Sequence, residues 1–371
     1  MPIPVLLLTR SLGEGGTERQ LSELARSFDK RRFTPHIGCA IGTGFRADEL
    51  RRQGISILEL PMNSLASRSG LEAIGRLRHY VRDNGIQLVH AFDAPMAVFG
   101  VPAGRLSAAR AVLSSQRCYE DTIFPPHWKY VRIAHRLAHG IVANCDAIRQ
   151  HLLVHYHIPD KKIRVCYNGL DTTVFSPGPR RRPPELQQAS LVIGVVSVLR
   201  NEKALPLLLE AFHAVRKAAP GLMLLIVGSG PEETGLRQLS EKLGIAGQCV
   251  FQPATNEVAT WLHAIDIFVL PSRSEALSNA IMEAMACGCS VVASRVGGSP
   301  ELIDDGKTGL LFESGDAGAL AEQLRRLIQQ PQRREELAAA GAARISARFS
   351  IQTSAHRMQE IYDEFLNKHR R

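Results

Sequence analysis

Residues 271–294 read PSRSEALSNAIMEAMACGCSVVAS, and this stretch decides the fold because it joins one strand to a helix and then to another strand. The short apolar run Ile267–Leu270 directly before it has the length and composition of a buried strand. Residues Ala280–Ala286 are helix formers, with Gly288 as the expected C-terminal cap. A second apolar run follows at Ser290–Ala293. Strand, helix and strand in this order predict a βαβ unit of a parallel sheet.

Two glutamates bracket the predicted strand-to-helix junction. Glu275 falls in the loop, and Glu283 falls about one turn inside the helix. Eight fully helical steps would separate them by about 12 Å of rise, which fits poorly with the paired carboxylates of a glycoside hydrolase. Ser278 and Asn279 lie between them and are good N-cap residues, so backbone N–H groups there are expected to face an anion. The run predicts two contacts with an extended ligand that has a phosphate in its middle; the alternative is two solvated glutamates on an amphipathic helix.

Apolar runs typical of strands alternate with helix-like stretches along the chain. The strand-like runs are Val5–Leu8, His36–Ala40, Ile55–Leu60, Leu88–Ala91, Ala111–Ser114, Gly140–Ala143, Ile163–Cys166, Leu191–Val198, Leu222–Val227, Gln248–Phe251, Ile267–Leu270 and Ser290–Ala293. The helix-like stretches are Glu18–Phe28, Leu71–Asn84, Leu205–Lys217, Pro231–Leu243, Val258–Ala264 and Ser350–Lys368. This alternation predicts parallel sheets with crossover helices, and 371 residues suit two α/β domains of ordinary size.

The predicted boundaries follow from composition. Residues 176–190 contain four prolines and three consecutive arginines, which predicts a linker. The expected parts are a first domain at 1–175, the linker, a second domain at 191–349 and a C-terminal helix at 350–371. Doubly wound sheets bind ligands at the carboxyl ends of their strands, so the predicted site lies between the two domains.

Charge and cysteine content narrow the function classes. The formal net charge is +9, which permits nucleic acid, an anionic membrane surface or a polyanionic ligand as partner. No helix-turn-helix, RNA-binding or zinc-finger pattern is found, so nucleic acid is not expected. Seven cysteines without a C-x-x-C pair predict neither a zinc site nor a disulfide framework, which favours a reducing cytoplasm. No apolar run reaches the roughly 18–20 residues of a membrane span, and the N-terminus lacks the basic region of a signal peptide.

The run 271–294 resembles the signature of the retaining, nucleotide-sugar-dependent glycosyltransferases of family 4, PS-x-x-E-(G/A)-(F/L)-(G/S)-x5-E-A-M-A-x-G. The resemblance implies the GT-B fold, in which two doubly wound Rossmann-like domains face each other across a cleft and a C-terminal helix crosses back onto the first domain. It implies that Glu275 contacts the donor sugar and that Glu283 holds the ribose hydroxyls. It also implies that the loop amides of Leu277, Ser278 and Asn279 bind the diphosphate.

Two further motifs of the second domain fit this family. The segment VVSVLRNEKALP resembles the first strand and loop of the donor domain, and the resemblance brings Arg200 and Lys203 to the diphosphate. Their positive charge would stabilise the leaving group as its bond breaks; without the resemblance, both would be interpreted as solvated loop charges. The segment LLIVGSGPEE matches I-V-G-x-G-P, with Gly228 beside the nucleotide.

The first domain carries weaker matches. Gly15 and Gly16 match the family's GG-x-E loop, which by resemblance closes over the donor phosphates, and Thr17 is expected to cap the following helix. His90, in LVHAFDAP, ends a predicted strand. The family often has H-x-H here, whereas this chain has Phe92 in the second place. The resemblance implies a catalytic role for His90 near the transferred sugar; the alternative is a structural imidazole.

Together these patterns predict a metal-independent, retaining transferase of the hexosyltransferase class. The resemblance implies that no metal is needed, since the family uses none, and the chain also lacks a D-x-D motif that would hold a metal at the diphosphate. No other cofactor is expected. The transferase would move a sugar from a nucleoside-diphosphate sugar, expected to be UDP-linked, to an acceptor hydroxyl in surface polysaccharide or glycolipid synthesis. Two alternatives stay open: a sugar-nucleotide 2-epimerase of the GT-B fold, and a non-catalytic nucleotide-sugar-binding protein.

One candidate helix suggests where an acceptor would be found. Residues 123–139, IFPPHWKYVRIAHRLAH, interleave apolar and basic side chains. They are Trp128, Tyr130, Ile133 and Leu137 with Lys129, Arg132, His135 and Arg136. Such a pattern suits docking on an anionic bilayer, which predicts a peripheral enzyme of the inner leaflet with a lipid-linked acceptor. The alternative is that the apolar face packs on the first domain's sheet.

Overall fold

The computed structural model of the protein describes residues 1–13, 15–62, 64, 67–119 and 128–369. The chain divides into two compact units. The first comprises Met1–Gly169 together with the C-terminal segment Ile351–Arg371, and the second comprises Leu170–Ser350. Residues 176–190, predicted to be a linker, lie within the second unit. They are anchored there because Arg182 donates a hydrogen bond of 2.7 Å to the carboxylate of Asp266.

The first unit is built on a parallel sheet. In the described residues its strands are β1 (Ile3–Ser11), β2 (Phe33–Ile41), β3 (Ile57–Glu59), β4 (Leu88–Ala91), β5 (Ala111–Gln116), β6 (Gly140–Ala143) and β7 (Ile163–Val165). Their order is β3-β2-β1-β4-β5-β6-β7. Strand β1 pairs with β2 on one side and with β4 on the other, and Val5 lies opposite Leu88. The strand order therefore reverses between β1 and β4, which is where open α/β sheets bind ligands.

Helices cover both faces of this sheet. They are α1 (Gly16–Ser27), α2 (Phe45–Arg52), α3 (Arg68–Asp83), α4 (Ala94–Arg105), α5 (Trp128–Leu137), α6 (Asp146–Val154) and the C-terminal α14 (Ile351–Lys368). One core joins α1, α2 and α14, and a second joins α3, α4 and α5. In α14, Tyr362 and Phe365 are fully buried. The packing is tight, since a Cβ on Gly140 would lie 2.1 Å from the Phe365 ring.

The second unit repeats this architecture. Its strands are β8 (Leu191–Val196), β9 (Leu222–Val227), β10 (Cys249–Gln252), β11 (Ile267–Leu270), β12 (Ser290–Ser294) and β13 (Leu310–Phe312), in the order β10-β9-β8-β11-β12-β13. The helices are α7 (Leu205–Val215), α8 (Glu233–Lys242), α9 (Val258–Leu262), α10 (Asn279–Ala286), α11 (Ser299–Leu302), α12 (Ala317–Gln329) and α13 (Pro331–Arg348). Strand β8 lies between β9 and β11, so the strand order reverses between β8 and β11.

Local predictions from the sequence met different outcomes. The parallel α/β architecture is confirmed, and so is the cap of α10, because Gly288 has a φ of +77° and donates its N–H to the Met285 carbonyl at 3.0 Å. The Thr17 cap was wrong. Helix α1 already begins at Gly16, and its N-cap residue Gly15 makes no side-chain cap.

The amphipathic candidate at 123–139 forms a helix from Trp128 to Leu137, while residues 123–127 lie outside the described residues. His135 was wrongly assigned to its basic face. The imidazole is fully buried, hydrogen-bonded to Ser114 and Gln116 at 2.9 Å each, and burial lowers its pKa to about 3. Arg132 is half-buried and lies over the Tyr156 ring.

Candidate active site

The loop between β11 and α10 and the helix α10 itself carry the two predicted carboxylates. Ser278 is the N-cap of α10, and its Oγ accepts from the Ile281 N–H at 3.4 Å. The backbone N–H groups at this end of the helix give it partial positive charge. Glu283 lies in the second turn of the helix and is 5% exposed. The predicted separation of Glu275 in the loop from Glu283 in the helix is confirmed.

Lys203 and Glu275 meet at the carboxyl ends of two neighbouring strands. After β8 the chain forms a 3-10 turn at Asn201–Lys203, and the Lys203 Nζ lies 2.6 Å from Glu275 Oε1. The side chains are 20% and 9% exposed, respectively. Because β8 and β11 are adjacent where the strand order reverses, the loops that follow them lie side by side. The topology thus brings a cation, a carboxylate and a helix N-terminus to one edge of the sheet.

A set of serines that the sequence analysis missed supports Glu275. Ser272 is fully buried, and its Oγ donates to the same Glu275 oxygen at 2.7 Å. The Ser272 carbonyl in turn accepts from Ser294 Oγ at 2.5 Å and from Ser314 Oγ at 3.2 Å. The signal that would have revealed them is positional. Ser272 follows β11 and Ser294 ends β12, and adjacent parallel strands end at the same edge.

Arg200 is placed differently from Lys203. Its side chain is 59% exposed, and its guanidinium lies 3.9 Å from the Glu202 carboxylate. The turn that carries it is fixed to the Glu275 loop by Arg273, which donates to Asn201 Oδ1 at 2.9 Å and, through its N–H, to the Glu202 carbonyl at 2.8 Å. The structure therefore brings Lys203 to Glu275 and leaves Arg200 on the outer side of the same turn.

Two glycines allow close backbone contacts around this edge. Gly228 has a φ of +146°, and a Cβ there would lie 1.8 Å from the Ser197 carbonyl oxygen. Gly297 has a φ of +48°, and its Cβ would lie 1.6 Å from the Glu275 carbonyl oxygen. Any side chain would separate these segments. Gly228 thus holds the end of β9 against the loop after β8, and Gly297 supports the Glu275 loop.

In the first unit, His90 is the last but one residue of β4 and is fully buried. Its Nδ1 lies 2.8 Å from the Tyr362 hydroxyl, and its Nε2 lies 2.9 Å from the Ser115 hydroxyl. Burial, together with the nearby charge of Arg117, holds the pKa of His90 well below its usual range. The imidazole is therefore neutral with both ring nitrogens engaged. Contact with a sugar would require one of these hydrogen bonds to break.

The glycine-rich loop and Asp93 complete this edge of the first unit. Gly15 precedes α1 and Gly16 begins it; Glu14 lies outside the described residues. Asp93 caps α4 by accepting from the Met96 N–H at 2.8 Å, and it also accepts from the Thr9 hydroxyl at 2.9 Å. Burial raises the pKa of Asp93, and these hydrogen bonds oppose the rise. Asp93 thus joins the end of β1 to the start of α4.

Two family models match the chain. The model described as glycosyl transferases group 1 matches residues 180–344, and the one described as glycosyltransferase family 4 matches residues 14–174. The chain belongs to glycosyltransferase family 4. This is a family of transferase enzymes.

Relatives and solved structures extend this result. A D-inositol 3-phosphate glycosyltransferase of Segniliparus rotundus is 30% identical over 71% of this chain and 61% of its own length. A GDP-mannose-dependent α-(1-6)-phosphatidylinositol monomannoside mannosyltransferase of Mycolicibacterium smegmatis is 28% identical over 82% of this chain and 81% of the relative. The matches span about half to three fifths of the length of the first curated relatives. Anabaena HepE, solved with UDP and glucose, superimposes with a TM-score of 0.82 at 21% identity over 97% of this chain and 99% of HepE. This likeness shows that the glycosyltransferase has the GT-B fold of two Rossmann-like domains.

Side-chain clusters and helix composition bear on metal binding and on membrane crossing. In the part of this glycosyltransferase that the structure describes, no three His, Cys, Asp or Glu side chains come together as metal ligands. Across the same described ranges, none of the helices combines the length and the apolar character that a bilayer crossing requires.

Proposed function

We propose that this glycosyltransferase transfers a sugar, with retention of configuration, from a nucleoside-diphosphate sugar to an acceptor hydroxyl. The observation that carries the proposal is the contact of 2.6 Å between Lys203 and Glu275 beside the N-terminus of α10. A cation and helix N–H groups suit the negative charge of a diphosphate. A carboxylate suits the hydroxyl groups of a sugar, which act as hydrogen-bond donors. A donor that contains both a diphosphate and a sugar therefore accounts for a cation and a carboxylate at one edge of the sheet.

The chemistry needs placement and charge stabilisation. The bond between the anomeric carbon and the phosphate oxygen breaks, a bond to the acceptor oxygen forms on the same face, and the departing phosphate takes the acceptor proton. Lys203 and the amides of Leu277, Ser278 and Asn279 stabilise the charge that develops on the leaving diphosphate, because such groups act most strongly where charge increases. Arg200, on the outer side of its turn, adds a second cation to the diphosphate. Glu275 orients the sugar and does not attack it.

The remaining candidate residues are assigned to parts of the donor or to support of the first unit's sheet. We assign Glu283 to the ribose hydroxyls and Gly228 to the turn beside the nucleotide. Gly15 and Gly16 are assigned to the loop that closes over the donor phosphates. His90, with both ring nitrogens hydrogen-bonded, is assigned to support of the β4 edge instead of to chemistry at the sugar. No metal or cofactor has a part in this scheme.

The donor base is proposed to be uracil. The support is the UDP bound in the Anabaena structure, while the mycobacterial relative, whose name includes GDP-mannose, makes guanine the competing choice. The names of the curated relatives support an acceptor that carries a phosphate or a phospholipid. Surface polysaccharide or glycolipid synthesis is the role proposed for the product.

A mass-spectrometric screen tests the reaction. The full chain is incubated with UDP- and GDP-sugars, with and without lipid-linked acceptors, and compared with the Lys203→Ala variant. We expect release of nucleoside diphosphate that depends on an acceptor and on Lys203. Formation of an epimeric nucleotide sugar without acceptor would identify an epimerase, and binding without turnover would identify a sensor; either result contradicts the proposal.

We also propose that the first unit docks on an anionic inner-leaflet surface through α5. Tyr130, Ile133 and Leu137 are 56%, 51% and 47% exposed, although apolar side chains on a soluble helix usually pack inward. Lys129 and Arg136 on the same helix are also exposed, whereas Val131 and Ala134 pack against the unit's core. Each basic side chain near an anionic surface contributes about 1 kcal/mol.

Sedimentation with liposomes tests the docking surface. We expect the full chain to sediment with phosphatidylglycerol vesicles and not with phosphatidylcholine vesicles. Ile133→Ser and the double change Lys129→Glu/Arg136→Glu should each reduce binding at least several-fold, and Lys242→Glu on the exposed face of α8 serves as the charge control. Equal sedimentation of all variants, or none by the unaltered chain, would direct the search to soluble acceptors.

A further inference from the structure

Arg117 is a cation at the carboxyl edge of the first unit's sheet that the proposed reaction does not use. It is the residue directly after β5, the strand beside β4. Its Cζ lies 5.1 Å from the centre of the Phe92 ring, and its Nη2 donates to Asn168 Oδ1 at 3.3 Å. The side chain is half-buried, so the guanidinium lies partly under the surface at this edge.

No acidic group of the described residues pairs with this guanidinium. Its Nη1 is buried without a hydrogen-bond partner among them. Burial lowers the pKa of the Arg117 guanidinium, and the nearby side chains of Cys166, Tyr362 and Cys118 oppose the decrease. Other arginines of the same unit are paired; for example, Arg26 lies 2.6 Å from the Glu49 carboxylate. Arg110 and Arg132 also lack an acidic partner among the described residues, but Arg117 is distinguished by its place directly after β5, at the carboxyl edge of the sheet.

An unpaired and partly buried charge is unfavourable for folding. Removing a charged group from water costs several kcal/mol unless a counter-charge and hydrogen bonds compensate. Phe92 offers a cation–π contact of about 0.5–2 kcal/mol, which is a partial compensation. An imidazole is neutral or positively charged, so the neighbouring His90 supplies no counter-charge to Arg117. The missing partner is an anion, and this edge is where a doubly wound sheet binds its ligand.

We propose that Arg117 binds the phosphate group of an anionic acceptor. The inference rests on the proposed function, since it names the chemical class of the acceptor. A planar guanidinium whose Nη1 has no hydrogen-bond partner among the described residues, and whose Nη2 donates at 3.3 Å, suits bidentate contact with phosphate oxygens. A phosphate monoester carries more terminal acceptor oxygens and a larger charge than a carboxylate, and the two terminal oxygens of a phosphodiester also suit bidentate contact with a guanidinium. The phosphate belongs either to a soluble phosphate ester or to a phospholipid head group.

Thermal unfolding of the full chain tests this proposal. UDP is present at saturating concentration so that the phosphate probes do not bind at the candidate diphosphate site of the second unit. The probes are glycerol 3-phosphate, phosphatidylglycerol vesicles and, as a carboxylate control, succinate. The variants are Arg117→Gln, Arg117→Lys and the matched control Arg26→Gln, which removes a paired arginine from the same unit. We expect the unaltered chain and Arg26→Gln to gain Tm with one of the two phosphate probes, Arg117→Gln to lose that gain, and Arg117→Lys to keep part of it.

The two arms identify the source of the phosphate. A gain with glycerol 3-phosphate indicates a soluble acceptor, and a gain with vesicles alone indicates a head group. An equal gain in Arg117→Gln and the unaltered chain overturns the proposal, as does a gain with succinate that matches the gain with phosphate.

A purely structural role gives a different pattern. In that case Arg117→Gln lowers Tm by several degrees without any probe, and the gain with phosphate persists. Glu120 and Asp121 follow Arg117 in the sequence and lie outside the described residues; a Glu120→Gln/Asp121→Asn variant that reproduces the loss of Tm would also contradict the proposal.

Failure of the proposed function has a separate signature. Calorimetry of UDP with the unaltered chain reports the donor site alone. Absence of UDP binding contradicts the donor assignment, whereas UDP binding without an Arg117-dependent response to phosphate contradicts only the acceptor inference.

Discussion

The two sheets have the same connectivity at their centres but different side chains at their carboxyl edges. In each, the first strand lies between the second and the fourth, β1 between β2 and β4 and β8 between β9 and β11. At the β8–β11 edge, Lys203 and Glu275 form a partly exposed ion pair beside a helix N-terminus. At the carboxyl edge of the first sheet, His90 of β4 is buried and neutral, and Arg117, directly after β5, lacks an acidic partner among the described residues.

The contrast shows that sheet topology determines where a ligand can bind but not which ligand binds there. Reversal of strand order creates room for a ligand in both units, yet among the described residues only the second unit has paired opposite charges there. In the same described part, the first unit has a hydrogen-bonded imidazole and a cation without an acidic partner. One edge therefore suits a ligand with both phosphate and hydroxyl groups, and the other suits an anionic group. Function resides in these side chains and not in the fold.

The largest expected effect tests the charge at the β8–β11 edge. Lys203→Ala should lower kcat about 100-fold, about 2.7 kcal/mol, because leaving-group charge is greatest in the transition state. Release of nucleoside diphosphate under steady-state conditions measures it. The exposed Lys242→Ala in the same unit is the control. A change confined to KM would contradict the role of Lys203 in stabilising the leaving group. It would also weaken the contrast between the two edges.

A second prediction concerns buried imidazoles of the first unit. Burial lowers the pKa of His135 from 6.5 to about 3, so between these values the unfolded chain binds a proton that the folded chain does not. The free energy of unfolding should therefore fall as the pH decreases below 6.5. His135 contributes about 1.4 kcal/mol per pH unit to this fall. His135→Gln should make the decline shallower by that amount.

The measurement uses the tryptophans, one in each unit. Trp128 lies in the first unit and Trp261 in the second. Urea unfolding is followed by Trp128 fluorescence in a Trp261→Phe background, and by Trp261 in a Trp128→Phe background. Parallel pH curves for His135→Gln and its parent, recorded through Trp128, would contradict the prediction.

A third prediction concerns the nucleotide. Glu283→Ala should weaken the affinity for free UDP about 10-fold, about 1.4 kcal/mol, because hydrogen bonds from the ribose hydroxyls to a charged acceptor are lost. Calorimetry measures the change. Glu210→Ala, an exposed glutamate on α7, is the matched control, and the Tm of both variants distinguishes lost binding from lost folding. Unchanged affinity in a folded Glu283→Ala protein would refute the ribose assignment.

The smallest expected effect concerns Ser272. Ser272→Ala removes one hydrogen bond to Glu275, which should lower kcat about 5-fold, about 1 kcal/mol, with little change in KM. Ser314 donates its hydrogen bond to the Ser272 carbonyl and not to Glu275. Ser314→Ala is therefore expected to lower kcat less than Ser272→Ala. Kinetics of both variants give the comparison. If Ser314→Ala reduced kcat as much as Ser272→Ala, the serines would stabilise the loop as a whole and not position the carboxylate.

Prediction from sequence succeeded where the signal is local. Strands β4, β6, β9 and β11 begin and end at the predicted residues, because strands buried on both faces form continuous apolar runs. Helix α4 was not predicted, since Pro102 and two glycines within it disrupt the helical pattern. Strand β13 has only three residues and gives too short a signal. Ser272 was overlooked because a single serine has no pattern of its own.

The sequence by itself determined the parallel α/β architecture, the strand-to-helix junction at 271–294 and the positions of Glu275 and Glu283 on it. These depend on neighbours within one or two turns, whose propensities and caps act over short distances. Only the tertiary structure decided which side chains meet. Lys203 contacts Glu275 across 72 residues, and His90 is bound by Tyr362 across 272. Such contacts depend on strand order and on burial, which also sets the protonation of His90, and no local pattern records either.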